Sequence, residues 1–193
     1  NAWDPESMQR VIAAAPGLVV VDEAYQPFAD TTWLSEMRRD PAANAKVLLM
    51  RTLSKFGLAG IRLGYLLGPQ ALIAEIDKLR PPYNVSVLNA ECALFALEHA
   101  PLFASQAAQI RSDRASLSEA LGALPGCEVF PSQANMILIR VPDATKTFER
   151  LKASGVLVKN VSTMHPLLQR CLRITVGTSQ ENASLLNALK AAL

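Results

Sequence analysis

The chain has little that would commit it to a membrane, a metal or a disulfide framework. No stretch approaches the roughly eighteen consecutive apolar residues of a membrane-spanning helix. Cysteine is scarce: Cys92, Cys127 and Cys171 stand far apart, each among apolar neighbours, without metal-ligand spacing and in an odd number. They read as buried thiols of a protein in a reducing cytoplasm. Charge of one sign is lacking too, since 19 Lys and Arg against 17 Asp and Glu leave a net charge of +2. The basic residues are scattered rather than gathered in a stripe, which argues against a nucleic-acid partner. A Gly-x-x-x-x-Gly-Lys-Ser/Thr phosphate loop is absent as well, and that counts against nucleotide hydrolysis.

What is present is core. Half of the 193 residues are hydrophobic and 6% aromatic, enough for one large or two small globular domains. Within that core one turn stands out, Arg51-Thr-Leu-Ser-Lys-Phe-Gly-Leu-Ala-Gly-Ile-Arg-Leu-Gly-Tyr65, set between an apolar strand at 47–50 and another at 63–68. A lysine placed between buried strands is costly to keep charged, so Lys55 either reaches solvent or works as a neutral amine, for instance as an imine-forming nucleophile. Thr52, Ser54 and Arg62 surround it with two hydroxyls and a guanidinium, a donor set for a phosphate. An amine beside a phosphate cradle points to pyridoxal 5'-phosphate. An ordinary basic surface turn fits the same residues.

A second segment, Leu18-Val-Val-Val-Asp-Glu-Ala-Tyr25, reads as a buried parallel strand that ends in Asp22. Open α/β sheets bind ligands at that end. Pyridoxal phosphate is an electron sink only while its ring nitrogen stays protonated, and a carboxylate facing that nitrogen maintains the proton. Tyr25, three residues on, offers a hydroxyl to the ring's phenolate oxygen. A strand ending in Asp-Glu also fits a metal site or a Walker-B-like carboxylate.

Taken in order, Val-Asp-Glu-Ala-Tyr, Thr-Leu-Ser-Lys and Gly-Leu-Ala-Gly-Ile-Arg-Leu-Gly-Tyr resemble the fold-type-I pyridoxal-phosphate enzymes of the aminotransferase class. Pro81-Pro-Tyr-Asn-Val-Ser86 and Cys171-Leu-Arg-Ile-Thr-Val-Gly-Thr178 resemble its histidinol-phosphate aminotransferase branch. The resemblance implies that Lys55 carries the cofactor as an imine, Asp22 pairs with the pyridine nitrogen, and Tyr25 meets the ring oxygen. Thr52, Ser54 and Arg62 hold the phosphate, Arg173 binds the acidic group of the substrate, and Asn84 is a further contact. It also implies a homodimer in the cytoplasm that acts on a small-molecule amino donor and a 2-oxo acid. One departure is visible: the family more often reads Ser-Lys-Ala-Phe-Gly where this chain reads Ser-Lys-Phe-Gly, so the turn after Lys55 is tighter. Family members are longer and carry further motifs ahead of this region, which makes the chain a carboxyl-terminal portion with only part of the cofactor site. The rivals are threonine-phosphate decarboxylase, another aminotransferase of the class, and a non-catalytic aminotransferase-like module of a regulator.

The expected fold is α/β: residues 1–105 as the remainder of a mostly parallel-sheet cofactor domain, then residues 106–193 as a small α+β domain. A helix capped by Asp4 with Pro5 at its first position leads into the first strand. Trp33 reads as a packed anchor. Leu72, Ile73, Ile76 and Leu79 fall at helical spacing, and Pro81-Pro82 stop that helix. Asn84 fits a rigid proline linker as well as a contact. Two helices follow, the second about 30 Å long if unbroken, with the domain boundary inside it. Strands are expected at 127–130, 135–141, 156–158 and 172–176. Arg173 alternates with Leu172 and Ile174, so it faces away from them, toward a substrate anion or a structural carboxylate. Lys159, Asn160 and His165 lie in the loop before it.

Overall fold

The structure, a computed structural model, describes residues 1–193. It divides into two compact units, Ala2–Ala107 and Ala108–Leu193, with Asn1 grouped in the second.

In the first unit α1 (Pro5–Ala14) starts where the Asp4 side chain accepts a hydrogen bond from the Ser7 amide. The chain then forms β1 (Val19–Asp22), α2 (Trp33–Arg39), β2 (Val47–Thr52), β3 (Gly64–Leu67), α3 (Gln70–Asp77) and α4 (Val87–Glu98). β2 is central, parallel to β1 and antiparallel to β3. Alternation sends Val19, Val21, Val47, Leu49 and Leu67 to one face, where Met8 and Ile12 of α1 and Trp33, Leu34 and Met37 of α2 cover them. Trp33 is the anchor its composition promised, buried with its Nε1–H donating to Asn44 Oδ1 at 2.9 Å.

The opposite face corrects the reading of β1 as a wholly buried strand. Val20 is 54% exposed there, Met50 39% and Leu66 36%. A continuous apolar run is the pattern of a strand covered on both faces, and here only one face is covered. The cysteines are corrected likewise. Cys92 is exposed because the buried positions of α4 are Ala93 and Ala96 on another side of the helix. Cys171 is buried, and burial pushes the Cys127 thiol up to about 11.

The second unit takes the carboxyl end of α5 (Ala100–Gly122), within which the division falls. It continues with β4 (Glu128–Val129), β5 (Met136–Arg140), α6 (Ala144–Ala153), β6 (Lys159–Asn160), β7 (Cys171–Thr175) and α7 (Ser179–Ala192). The strands form an antiparallel sheet in the order β4-β5-β7-β6. Ile137, Ile139, Leu172 and Ile174 share one face and pack with Leu121, Leu151, Leu185 and Leu189. Ile139 has no exposed surface, so Ile139→Ala is expected to lower unfolding free energy by about 2–5 kcal/mol, read from urea denaturation midpoints. The strand expected at 156–158 begins later. Leu157 is 79% exposed, and pairing with β7 starts only at Lys159 opposite Arg173. Thr178 and Glu181 start α7 with reciprocal side-chain bonds to each other's amides.

Candidate active site

Because β1 and β2 run parallel, their carboxyl ends lie side by side, and Asp22, Tyr25, Ser54 and Lys55 lie at or just past that edge. Asp22 is the last residue of β1. Its Oδ1 accepts from the Ala24 amide at 2.9 Å, and this Asx turn delivers Tyr25 directly after the strand. Lys55 follows the end of β2 by three residues, and its Nζ lies 5.1 Å from the centre of the Tyr25 ring. No carboxylate pairs with Lys55, so its amine is held by an aromatic face rather than by a salt bridge.

The turn that carries Lys55 is two short 3-10 segments, Ser54–Phe56 and Ala59–Ile61. Gly57 between them has φ +113°, and a Cβ there would stand 2.9 Å from a ring carbon of Phe103, so no other residue fits without displacement. The second segment ends at Arg62, held in the left-handed region at φ 51° and ψ 37°, a conformation that costs a non-glycine residue energy. That backbone turns the guanidinium back on its own loop. Nη1 reaches Ser54 Oγ and Ala59 O, each at 3.5 Å, at the outer limit of hydrogen bonding. A hydroxyl and an exposed guanidinium therefore converge beside Lys55 with most of their donors open. Asn89 of α4, which sequence reasoning missed, donates to the Ile61 carbonyl at 2.9 Å and holds the residue before Arg62 in place.

Thr52 requires a correction. Its hydroxyl donates to Leu63 O at 3.3 Å and accepts from the Ser54 amide at 3.1 Å, so its one proton is already committed to shaping the turn. Ser54 and Arg62 are the donors left for an anion. Asn84 lies in the exposed turn after Pro81 and Pro82, next to Tyr83 with its φ of 62°.

In the second unit Arg173 is exposed between buried Leu172 and Ile174, as its alternation predicts. Its cross-strand neighbours are Leu138 on β5 and Lys159 on β6. Neither cation has an ion-pair partner, so the structural salt bridge weighed for Arg173 does not form. Two unpaired like charges placed opposite each other are mutually unfavourable, and an anion between them relieves the repulsion.

An open groove of about 770 Å³ runs over the uncovered face of the first unit's sheet, walled by Met50, Leu66, Ile73 and Ile76, with Asp22 and Thr52 on its lining. Lys55, Tyr25 and Arg62 are not part of its wall. Asp22 thus lines the groove, and the other polar groups that could hold a cofactor lie beyond it at the strand ends. The donor set at those ends fits pyridoxal phosphate group by group: a carboxylate for a protonated ring nitrogen, a phenol for the ring oxygen, an amine for the aldehyde, and Ser54 with Arg62 for the phosphate.

The sequence profile of aminotransferase class I and II matches residues 1–189. The chain belongs to the class I and II aminotransferases. Among curated members it is 66% identical over 195 residues to the histidinol-phosphate aminotransferase of Paracidovorax citrulli, an alignment that takes in 99% of this chain and 53% of the relative. The corresponding protein of Polaromonas naphthalenivorans is 60% identical over 196 residues, covering 100% of this chain and 53% of that one. This aminotransferase chain thus spans about half the length of the curated relatives it matches. Among solved structures, the histidinol-phosphate aminotransferase of Sinorhizobium meliloti in complex with pyridoxal-5'-phosphate superposes with a TM-score of 0.78 at 26% identity, covering 98% of this chain and 53% of that one. The Clostridium acetobutylicum histidinol-phosphate aminotransferase shares the fold at a TM-score of 0.84 and 21% identity, over 97% of this chain and 58% of that one.

Proposed function

We propose that this chain carries the lysine-bearing part of a pyridoxal-phosphate-dependent transaminase that converts histidinol phosphate and 2-oxoglutarate to imidazole acetol phosphate and glutamate. The observation that carries the reading is the identity of 66% to a histidinol-phosphate aminotransferase along almost the whole chain. Lys55, Tyr25, Asp22, Ser54 and Arg62 gathered at two neighbouring strand ends support it. Pyridoxal phosphate, when bound, supplies a ring that delocalises the electron pair left when the substrate carbon loses its proton.

The protein's own groups do the rest. The Lys55 amine, unpaired with any carboxylate, takes a proton at Nζ and returns it, serving as base and then acid. The Asp22 carboxylate would hold a proton on the cofactor's ring nitrogen. Tyr25 donates its hydroxyl to the ring oxygen and shields Lys55 on one side. Ser54 and Arg62 would hold the cofactor phosphate. Arg173 and Lys159 bind the acidic group of the substrate. The same reading makes the working form a cytoplasmic homodimer with small-molecule substrates and neither nucleic acid nor membrane as partner.

Borohydride reduction of the protein mixed with pyridoxal phosphate, followed by peptide mapping, tests the cofactor assignment. The label is expected on the peptide containing Lys55, and a label elsewhere refutes it. Turnover of histidinol phosphate rather than phosphothreonine separates the proposal from the decarboxylase reading. Arg173→Ala is expected to raise KM for histidinol phosphate by about 10- to 100-fold, the loss of one charge-assisted contact worth about 1.5–3 kcal/mol.

A further inference from the structure

Glu23 and Arg51 have no part in the reading above, yet they are among the most enclosed charged side chains of the first unit, 11% and 15% exposed. Arg51 Nε and Nη2 both reach Glu23 Oε2, at 3.1 and 2.8 Å. Nη2 also donates to Thr32 Oγ1 at 2.7 Å, and the Thr32 hydroxyl donates to Glu23 Oε2 at 2.8 Å. The other carboxylate oxygen, Oε1, accepts from the Trp33 amide at 2.5 Å, at the start of α2. Burial works against the Arg51 charge, but hydrogen bonds to Glu23 and Tyr65 overcome it and raise its pKa above the ordinary arginine value. Both Glu23 oxygens and the Thr32 hydroxyl are satisfied within this network, and Arg51 reaches on to Tyr65.

Its position in the sheet is what matters. Glu23 directly follows Asp22, and its amide donates to Met50 O at 2.8 Å, across to β2. Arg51 directly precedes Thr52 and turns toward the α2 face, with Leu49, while Asp22, Met50 and Thr52 turn to the other. The ion pair therefore joins, from behind, the residue after Asp22 to a residue near the end of β2, just ahead of the turn that carries Ser54 and Lys55.

We infer that Glu23 and Arg51 are positioning residues, a clamp that sets the separation between Asp22 and the Ser54–Lys55 turn and so matches the two strand ends to a ligand that must touch both. This rests on the function proposed above. A ligand that spans both ends depends on that separation, because a displacement of about 1 Å costs up to roughly 10²-fold in a constellation of this kind. A ligand that touches one end does not depend on it.

The test compares the two kinds of ligand in the intact protein. Glu23→Gln keeps the volume and the acceptor for the Trp33 amide but removes the charge. The double variant Glu23→Gln/Arg51→Met removes both charges, leaves none buried alone, and so guards against a misfolded single variant. Apparent Kd is measured for pyridoxal phosphate by absorbance and for inorganic phosphate by calorimetry. The expected result is a rise of about tenfold or more for pyridoxal phosphate with less than about twofold for inorganic phosphate. A lowered melting temperature with the ratio of the two constants unchanged means a purely structural pair and overturns the inference, as does equal weakening of both ligands. A wild-type protein that takes up no pyridoxal phosphate overturns the proposed function, and the clamp with it, a result seen before any variant is made.

Discussion

Lys55→Ala is expected to cut turnover of histidinol phosphate by about 10⁴-fold, the upper end of what one positioned acid-base group supplies. The size of the effect follows from how little else is available. Lys55 Nζ, against the Tyr25 ring, is the only amine set at the carboxyl ends of β1 and β2, and the neighbouring cations Arg51 and Arg62 are guanidiniums, which carry no acceptor to serve as a base. Cofactor affinity should fall far less than turnover, since on the proposed assignment Ser54, Arg62 and Asp22 would still hold phosphate and ring. Single-turnover absorbance and borohydride labelling check both parts: the variant should bind pyridoxal phosphate, fail to retain it after reduction, and turn over at close to background. A variant that kept a tenth of the wild-type rate would mean that another group moves the proton.

The candidate site was more legible in the sequence than the scaffold behind it, for a physical reason. Asp22, Tyr25, Ser54 and Lys55 are polar residues at or just past the ends of apolar strands, and parallel pairing of those strands sets their ends side by side. Trp33 was legible as an anchor because an indole in a mixed segment has few other uses. Thr52 was not, since a hydroxyl beside a backbone carbonyl serves the turn as readily as a ligand, and only the position of Leu63 decides between them. The Glu23–Arg51 pair left a signal that went unused: Arg51 alternates with Val47 and Leu49, both without exposed surface, so an arginine there demands an enclosed anion. Burial of β1 was misread because a run of valines records what a strand can bury, whereas what covers it depends on neighbours. The shift of β6 from 156–158 to Lys159–Asn160 has the same origin, because a short edge strand is placed by its partner β7 and not by its own hydrophobicity.

The Glu23–Arg51 pair and Asn89 share one design. Each acts from outside the reacting groups on the backbone next to one of them: Glu23 beside Asp22, Arg51 beside Thr52, Asn89 on the carbonyl before Arg62. The strained left-handed Arg62 is then stable because the carbonyl before it is pinned, not because the residue favours that conformation.

The second large effect is expected at Asp22. Asp22→Asn preserves shape and leaves an oxygen to accept the Ala24 amide, so the turn into Tyr25 survives and only the negative charge is lost. On the proposed assignment that charge would keep the cofactor's ring nitrogen protonated, so its loss would weaken the stabilisation of the electron pair on the substrate carbon. A loss of about 10²–10³-fold in kcat is expected, the range for removing one preorganised electrostatic partner, with KM changed little because on the proposed assignment the lost charge acts on the cofactor ring and not on substrate binding. A pyridoxal phosphate analogue methylated on the ring nitrogen carries its positive charge permanently and needs no carboxylate to keep it. Loaded into Asp22→Asn it should recover a large part of the lost rate, while in wild type it should gain nothing. Equal rates with both cofactors in the variant would show that residue 22 acts through position and not through charge.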